Sequence, residues 1–251
     1  GGVRRSSQIS LSDLNDEDMR HAKDWPFPIR RAMANNSAIY REKPAAADFL
    51  VEWGVLAKSG SGERGIFNLE SAQNQAPARR YSSKIQGTNP CGEIMLRDME
   101  FCNLSEVVIR EEDDLDSLLD KVETATWLGV LQSTFTDFPY LRKQWKKNCD
   151  VERLLGVSLT GQMDNPIVMN SEALKALKSR VLRISRKAST LLDVNMPVST
   201  TCVKPSGTVS QLVDSASGCH PRYSQYYIRR YRIAATDPLL TMLKDQGVPC
   251  V

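Results

Sequence analysis

Apolar residues recur along the chain at two periods, and the switches between them mark out the expected elements. Gln8-Ile9-Ser10-Leu11 alternates polar with apolar, as a half-buried strand does. Ser12, followed by Asp13, Asp16, Glu17 and Asp18, predicts a helix start with acidic residues at the positive end of the dipole. From Pro44 a helical stretch places Phe49, Leu50, Trp53 and Leu56 on one face and ends at Gly60-Ser61-Gly62. Residues 71 to 87, rich in Gln, Ala, Arg and Ser, read as a mobile connector whose Arg79-Arg80 could touch phosphates but read first as facing water. Glu93-Ile94-Met95-Leu96 and Val107-Val108-Ile109 are short apolar runs of strand type.

The second half has longer periods. Glu111-Glu112-Asp113-Asp114 caps a helix that carries Leu115, Leu118, Leu119, Val122, Ala125 and Leu128 as a core stripe. Leu154 to Gly161 is a buried strand ending in glycine. A long amphipathic helix from about Ser171 to Leu192 turns Leu174, Leu177, Val181, Ile184, Ala188 and Leu191 inward. Ser199 to Val203 is a strand that runs into Pro205-Ser206-Gly207-Thr208 and a helix. Tyr226 to Ile233 alternates like a strand, and Asp237-Pro238 starts a last helix. Helix, strand, helix is an α/β rhythm.

Composition narrows the function. With 251 residues and 41% hydrophobic content the chain can bury one large core or two modest ones. The 33 basic against 30 acidic residues leave a charge of +3, too small to argue for a nucleic-acid partner. Arg142-Lys143-Gln144-Trp145-Lys146-Lys147 and Arg229-Arg230-Tyr231-Arg232 read as solvated faces. No apolar run approaches the ~20 residues of a membrane helix and no signal peptide is visible, so a cytoplasmic location is expected. Six cysteines without a CxxC pair, and only His21 and His220, argue against a metal site and for free thiols. Cys219-His220 reads as structural, because chain neighbours point apart.

Reactive groups concentrate in Thr88-Asn89-Pro90-Cys91-Gly92-Glu93 and Phe101-Cys102-Asn103-Leu104-Ser105-Glu106. Pro90 and Gly92 put Cys91 on a tight loop. If that loop is extended, Asn89, Cys91 and Glu93 point to one side and one small ligand meets an amide, a thiol and a carboxylate. Cys102 falls between two strand-type runs, so both sulfurs could approach one pocket. On spacing alone Cys91 reads first as a small buried hydrophobe and second as a catalytic thiol. Pro205-Ser206-Gly207-Thr208, a strand running into a Gly-containing turn, is either a plain turn or an anion cradle, and it is not a Walker A loop.

Asn89-Pro90-Cys91-Gly92-Glu93 with Phe101-Cys102-Asn103-Leu104-Ser105 resembles the active-site finger loop of ribonucleotide reductases, of the adenosylcobalamin-dependent (class II) kind. Gly1-Gly2-Val3-Arg4-Arg5-Ser6, Gly65-Ile66-Phe67-Asn68 and Lys204-Pro205-Ser206-Gly207-Thr208-Val209-Ser210 agree in the same order. The resemblance implies an α/β fold, part of the family's ten-stranded α/β barrel with a central finger loop. Residues 1–251 would be a partial catalytic barrel domain. Within it, 1–43 would form the effector and specificity region, 85–106 the finger loop, and 199–212 the substrate phosphate turn and helix. Because the chain opens on Gly1-Gly2 and the family is longer, it is expected to be an internal piece, inactive alone.

The same resemblance implies roles. Cys91 would be the thiyl radical that takes the ribose 3′-hydrogen, Glu93 the base for the 3′-hydroxyl, and Asn89 the holder of the ribose hydroxyls. Cys102 would be one of two reducing thiols. Ser206, Gly207 and Thr208 would bind substrate phosphate, and Asn35, Asn36 and Ser37 would form the specificity loop, where the residues alone read as a polar turn. Expected partners are a ribonucleotide, with triphosphate favoured, a deoxynucleotide effector, adenosylcobalamin and an external thiol reductant such as thioredoxin, with deoxynucleotides for DNA synthesis as product. The alternatives are a class I large subunit, which takes its radical from a metal-bearing subunit, and a non-catalytic nucleotide-binding module.

Overall fold

A computed structural model describes residues 8–24, 26–60, 62–228 and 233–250. They fall into two compact units, within 1–221 and 222–251. The Gly1–Ser6 motif and Arg229-Arg230-Tyr231-Arg232 lie outside the described residues.

Strand β1 is Gln8–Asp13. It absorbs Ser12 and Asp13, which local sequence assigns to a helix start, because they pair with Ala38 and Ile39 of the next strand. The helix cap is Asp16 instead, whose side chain accepts from Met19 N at 2.9 Å, and α1 (Glu17–Arg20) is a single turn. After a 3₁₀ turn at Ile29–Met33 comes β2 (Ala34–Tyr40). Asn35, Asn36 and Ser37 therefore sit in a strand and not in a loop or turn. The strand is the middle of a parallel sheet, between β1 and β3 (Gly65–Asn68). Asparagine is a poor strand former, and tertiary bonds override that preference. The buried Asn36 amide donates to Met19 O at 2.8 Å, and the Asn35 amide donates to Pro90 O at 3.1 Å.

Helix α2 (Ala46–Ser59) stops at Gly60, which takes φ +63°. Its inward face is Phe49, Glu52 and Leu56, while Leu50 and Trp53, expected inward, are 64% and 52% exposed. The stripe is turned by charge: buried Glu52 meets Arg20 at 2.5 Å and Arg64 at 3.7 Å. Residues 71–87 are not a loose connector. They form most of α3 (Leu69–Asn74), a 3₁₀ turn at Ser82–Lys84 and the start of β4 (Ile85–Thr88). Ile39, Phe67, Leu69 and Ile85 close a core there.

Strand β4 turns back into β5 (Met95–Arg97) as an antiparallel hairpin. Next, β6 (Asn103–Val108) pairs in parallel with a later strand, β7 (Leu155–Thr160), so β5 and β6 belong to different sheets. Between β6 and β7 run α4 (Leu115–Gln132) and α5 (Lys143–Glu152). Asp114 and Ser117 close a capping box at the start of α4. Helix α6 (Ser171–Leu191) follows β7. One face of β6–β7 (Val107, Ile109, Val157) meets Leu118, Val122, Leu177 and Val181 of α4 and α6. Each fully buried aliphatic side chain contributes about 1.5–3 kcal/mol. The stripes are narrower than the sequence implies: Leu128, Leu174 and Leu191 are exposed. On α4 the buried line runs through Ala125 and Gly129 and leaves Leu128 aside, and Leu191 is the last residue of its helix.

Residues 199–202 run along the free edge of β7 without becoming a full strand. Leu155 N and Val157 N donate to Ser199 O and Thr200 O, and Thr201 bridges to Val157. The turn after them opens only one helical turn, α7 (Val209–Leu212). In the second unit, Tyr226–Ile228 is irregular, and Asp237 caps α8 (Pro238–Asp245) as expected.

Candidate active site

The hairpin β4–β5 carries Asn89 to Ile94 at its tip. Gly92 N donates to Asn89 O at 3.0 Å, which makes Asn89-Pro90-Cys91-Gly92 a tight turn with Pro90 at its first corner. Gly92 takes φ +84°, a conformation costly to any other residue, and this sends Glu93 back toward the sheet. The loop is therefore folded, not extended, and Asn89, Cys91 and Glu93 do not line one edge. Asn89 spends its side-chain oxygen on the loop itself, accepting from Ile94 N at 3.0 Å, while Asn89 N donates to Ile94 O at 3.1 Å. Cys91 is exposed at the tip. Of the three residues assigned to a specificity loop, Asn35 is bonded to this hairpin, through Pro90 O.

Behind the tip, the β6–β7 face opposite the helices carries Cys102, Leu104, Gly156 and Ser158 in alternation. A methyl on Gly156 would stand 2.5 Å from Leu104 Cδ2, 2.8 Å from Cys202 Sγ and 3.0 Å from Ile94 Cδ1. Glycine here lets the fingertip and Cys202 lie directly on the sheet. Burial pushes the Cys102 thiol up to about 11, with the Glu93 carboxylate adding to the shift. Burial likewise pushes Cys202 up to about 12, with Glu93 and then Cys102 contributing. Both thiols stay protonated at neutral pH, as hydrogen donors need to be and thiolate nucleophiles are not. Glu93 Oε2 is buried and accepts no hydrogen bond, so the site holds an acceptor ready for a ligand. A cavity of about 600 Å³ reaches Glu93 from the side of α3.

The base of the hairpin is fixed by a buried ion cluster. Arg80, expected in water, is 8% exposed. It donates to Glu152 Oε2 at 2.8 Å and to Met95 O at 2.8 Å, and lies 3.2 Å from Glu100 Oε2. Arg97 of β5 pairs with Glu152 and donates its backbone N–H to Glu100 at 3.1 Å. Phe101 adds stacking on Trp145 of α5 at 4.5 Å. Burial raises Glu100 to about 8, and the neighbouring Glu152 charge adds to the shift. Burial works against Glu152 as well, yet hydrogen bonds from Arg80 and Arg97 hold it below the usual carboxylate range.

The signs of these two shifts differ. Between about pH 4.5 and 8 the folded state holds a proton on Glu100 that the unfolded state has lost, so stability from this group falls as pH rises through that window. The Glu152 contribution is present above its unfolded pKa and is lost on acidification. Glu100→Gln in the full-length protein is expected to flatten the decline between about pH 5 and pH 8 by on the order of a few kcal/mol. Thermal or urea unfolding across that range measures it, and an unchanged slope would contradict the assignment.

The Pro205–Thr208 turn differs from a plain cradle. Ser206 is 1% exposed, takes φ +51°, and donates its hydroxyl to Glu106 Oε1. With α7 only four residues long, no helix dipole of consequence stands behind it. Gly207 is exposed, and a methyl on it would meet nothing within 4 Å. Among the described residues no cluster suited to a metal ion is present, and all six cysteines are free.

Cys202, Glu106, Arg80, Glu100 and Glu152 were not singled out by sequence. For Cys202 a signal existed, since it lies three residues before Pro205 on the same extended segment. Arg80 and Glu152 meet across 72 residues of chain, and nothing local marks such a pair.

Comparison with known proteins gives the family and the fold. The family described as ribonucleotide reductase, barrel domain, matches residues 5–167, and the chain belongs to that family. Similar over 98% of the chain, at 31% identity, are the adenosylcobalamin-dependent ribonucleoside-triphosphate reductases of Lactobacillus gasseri and Levilactobacillus brevis. The chain spans about 37% of their length. Among solved structures, a B12-dependent (class II) ribonucleotide reductase superposes with a TM-score of 0.71 at 26% identity, over 95% of this chain and 38% of that one. The class Id ribonucleotide reductase alpha subunit of Actinobacillus ureae shares the fold, with a TM-score of 0.68 at 18% identity over 96% of this chain and 52% of that one. The partial α/β barrel expected from sequence is thus the fold found.

Proposed function

We propose that the protein reduces ribonucleotides, with triphosphates as the favoured substrates, to 2′-deoxyribonucleotides by a thiyl-radical mechanism dependent on adenosylcobalamin. The observation that carries this reading is the hairpin itself. It holds one exposed thiol, Cys91, at its tip, with the unpartnered Glu93 carboxylate and the protonated Cys102 thiol behind it. The names of the similar reductases support the cofactor and the triphosphate.

The residues present suit the cofactor. The Cys91 thiol is exposed, and a side chain on the adjoining Gly92 would meet nothing within 4 Å, so a large group can approach the fingertip. Adenosylcobalamin, when bound, supplies the homolytic chemistry that takes a hydrogen atom from Cys91. The Cys91 sulfur then abstracts the 3′-hydrogen of the ribose. Glu93 Oε2 accepts the 3′-hydroxyl proton, for which it has a free lone pair. Asn89 keeps its side-chain N–H donors for a sugar hydroxyl, its oxygen being engaged in the loop. Cys102, with a second thiol, gives up two electrons and two protons in forming a disulfide, as the 2′-hydroxyl departs as water and C2′ gains hydrogen. The hydrogen atom held on Cys91 then returns to C3′ and the proton on Glu93 to the 3′-oxygen, which completes the deoxyribose and restores the Cys91 thiyl for the next turnover. Phosphate binding falls to Ser206, Gly207 and Thr208, and effector sensing to the region before residue 43. A thioredoxin-type protein is the outside reductant.

The test is nucleotide reduction by the full-length protein with a dithiol reductant, with and without adenosylcobalamin. Deoxynucleotide is expected only with the cofactor. Equal product without it would move the protein to the reading in which a metal-bearing subunit supplies the radical.

A further inference from the structure

Glu106 stands four residues after Cys102, on the same face of β6. Its side chain is only 10% exposed. Two groups hold it. Ser206 Oγ donates to Oε1, and the Lys204 ammonium lies 3.8 Å from Oε2. Both come from the segment assigned to substrate phosphate.

Ser206 has little freedom to present its hydroxyl anywhere else. Its left-handed φ of +51° is uncommon outside glycine. Its carbonyl is tied down by two hydroxyls, Ser210 Oγ at 2.5 Å and Ser217 Oγ at 3.0 Å. The Ser217 hydroxyl also reaches Pro205 O at 2.6 Å. One O–H on a fixed backbone therefore points at a carboxylate, in the place where a phosphate oxygen would have to sit.

A carboxylate and a phosphate ask for the same thing: an O–H donor and a cation at close range. They cannot share one hydroxyl proton, and side by side in a poorly hydrated site they repel. We propose that Glu106 is a built-in stand-in for the substrate phosphate, occupying the Ser206 hydroxyl and the Lys204 ammonium until a nucleotide phosphate displaces it. The stand-in satisfies a buried hydroxyl and pairs a partly buried cation, both of which cost free energy if left alone. On binding, its displacement is charged against affinity, so phosphate is held less tightly than these donors alone would hold it. The proposal rests on reading residues 206–208 as the phosphate turn.

Glu106→Gln keeps the shape and an acceptor for Ser206 while removing the competing charge. In the full-length protein, calorimetric titration with inorganic pyrophosphate is expected to show binding about tenfold tighter in Glu106→Gln than in wild type, the weight of one like charge at close range. Glu106→Asp, which keeps the charge, is expected to stay near wild type, and Lys204→Gln to weaken binding about tenfold. Equal or weaker binding in a folded Glu106→Gln overturns the proposal. Should that variant not fold, Lys204→Gln decides, and unchanged affinity there overturns it too. A different result marks failure of the underlying reading: pyrophosphate binding that is absent in wild type, or that Ser206→Ala leaves untouched, means the turn is not a phosphate site.

Discussion

Full-length protein carrying Cys91→Ala is expected to lose ribonucleotide reduction by at least about ten-thousandfold, as removal of the one group that performs the bond-breaking step does. Neither of the two thiols beside it can take its place. Cys102 and Cys202 lie behind the tip, partly buried, and are kept in the protonated form by burial and the Glu93 charge. The loss is chemical and not structural, because Cys91 is exposed at a turn whose hydrogen bonds are made by Asn89, Thr88, Gly92 and Ile94 and, through Pro90 O, by Asn35. The thermal midpoint of the variant should therefore match wild type. Activity within tenfold of wild type would remove Cys91 from the mechanism.

Arg80→Ala is expected to cost about 3 kcal/mol of stability, because it takes one of two cations from the buried Glu152 charge and leaves Glu100 Oε2 and Met95 O without its N–H donors. Arg80 is the only group that reaches Glu100, Glu152 and Met95 O together, among the described residues. Glu152 keeps Arg97, but Glu100 is left with a backbone N–H and the edge of Arg97 at 3.6 Å. Loss of the Met95 contact also frees the return strand of the finger. Arg80→Lys should recover only part of the loss, since a single ammonium cannot span three acceptors as the guanidinium fork does. Denaturant unfolding of the full-length protein measures both variants. A midpoint for Arg80→Ala indistinguishable from wild type would show that the cluster does not hold the hairpin.

Sequence legibility followed the range of the forces involved. Helices α4 and α6 were readable because their caps and apolar periods are local: Asp114 and Ser117 start one, and Leu177, Val181, Ile184 and Ala188 line the other. Strand β7 announced itself as a short apolar run ending in Gly161, which takes φ +76°. Strand β2 did not, since Asn35-Asn36-Ser37 look like a turn until β1 and β3 pair on either side. Residues 71–87 misled for the same reason. Their polar composition suits a loop, but Arg80 is polar in order to meet Glu100 and Glu152, and Gln73 to donate to Ile85 O at 3.0 Å.

The site divides along the same line. The tight turn at Cys91 was legible from Pro90 and Gly92. Its internal geometry was not, because Asn89 closes the loop with its side chain instead of aligning beside Cys91 and Glu93. The Ser206 turn was legible as a turn after a strand, but its engagement with Glu106 joins residues 100 positions apart. Cys202 reached the site through the edge pairing of Thr201 with Val157, which no spacing rule exposes.

The most direct test of the account sets four assays of the full-length protein side by side: wild type and Cys91→Ala, each with and without adenosylcobalamin, with a ribonucleoside triphosphate and a dithiol. Deoxynucleotide is expected in one of the four, wild type with cofactor. Product from Cys91→Ala with the cofactor, or equal product from wild type without it, would contradict a cobalamin-initiated thiyl radical at the fingertip.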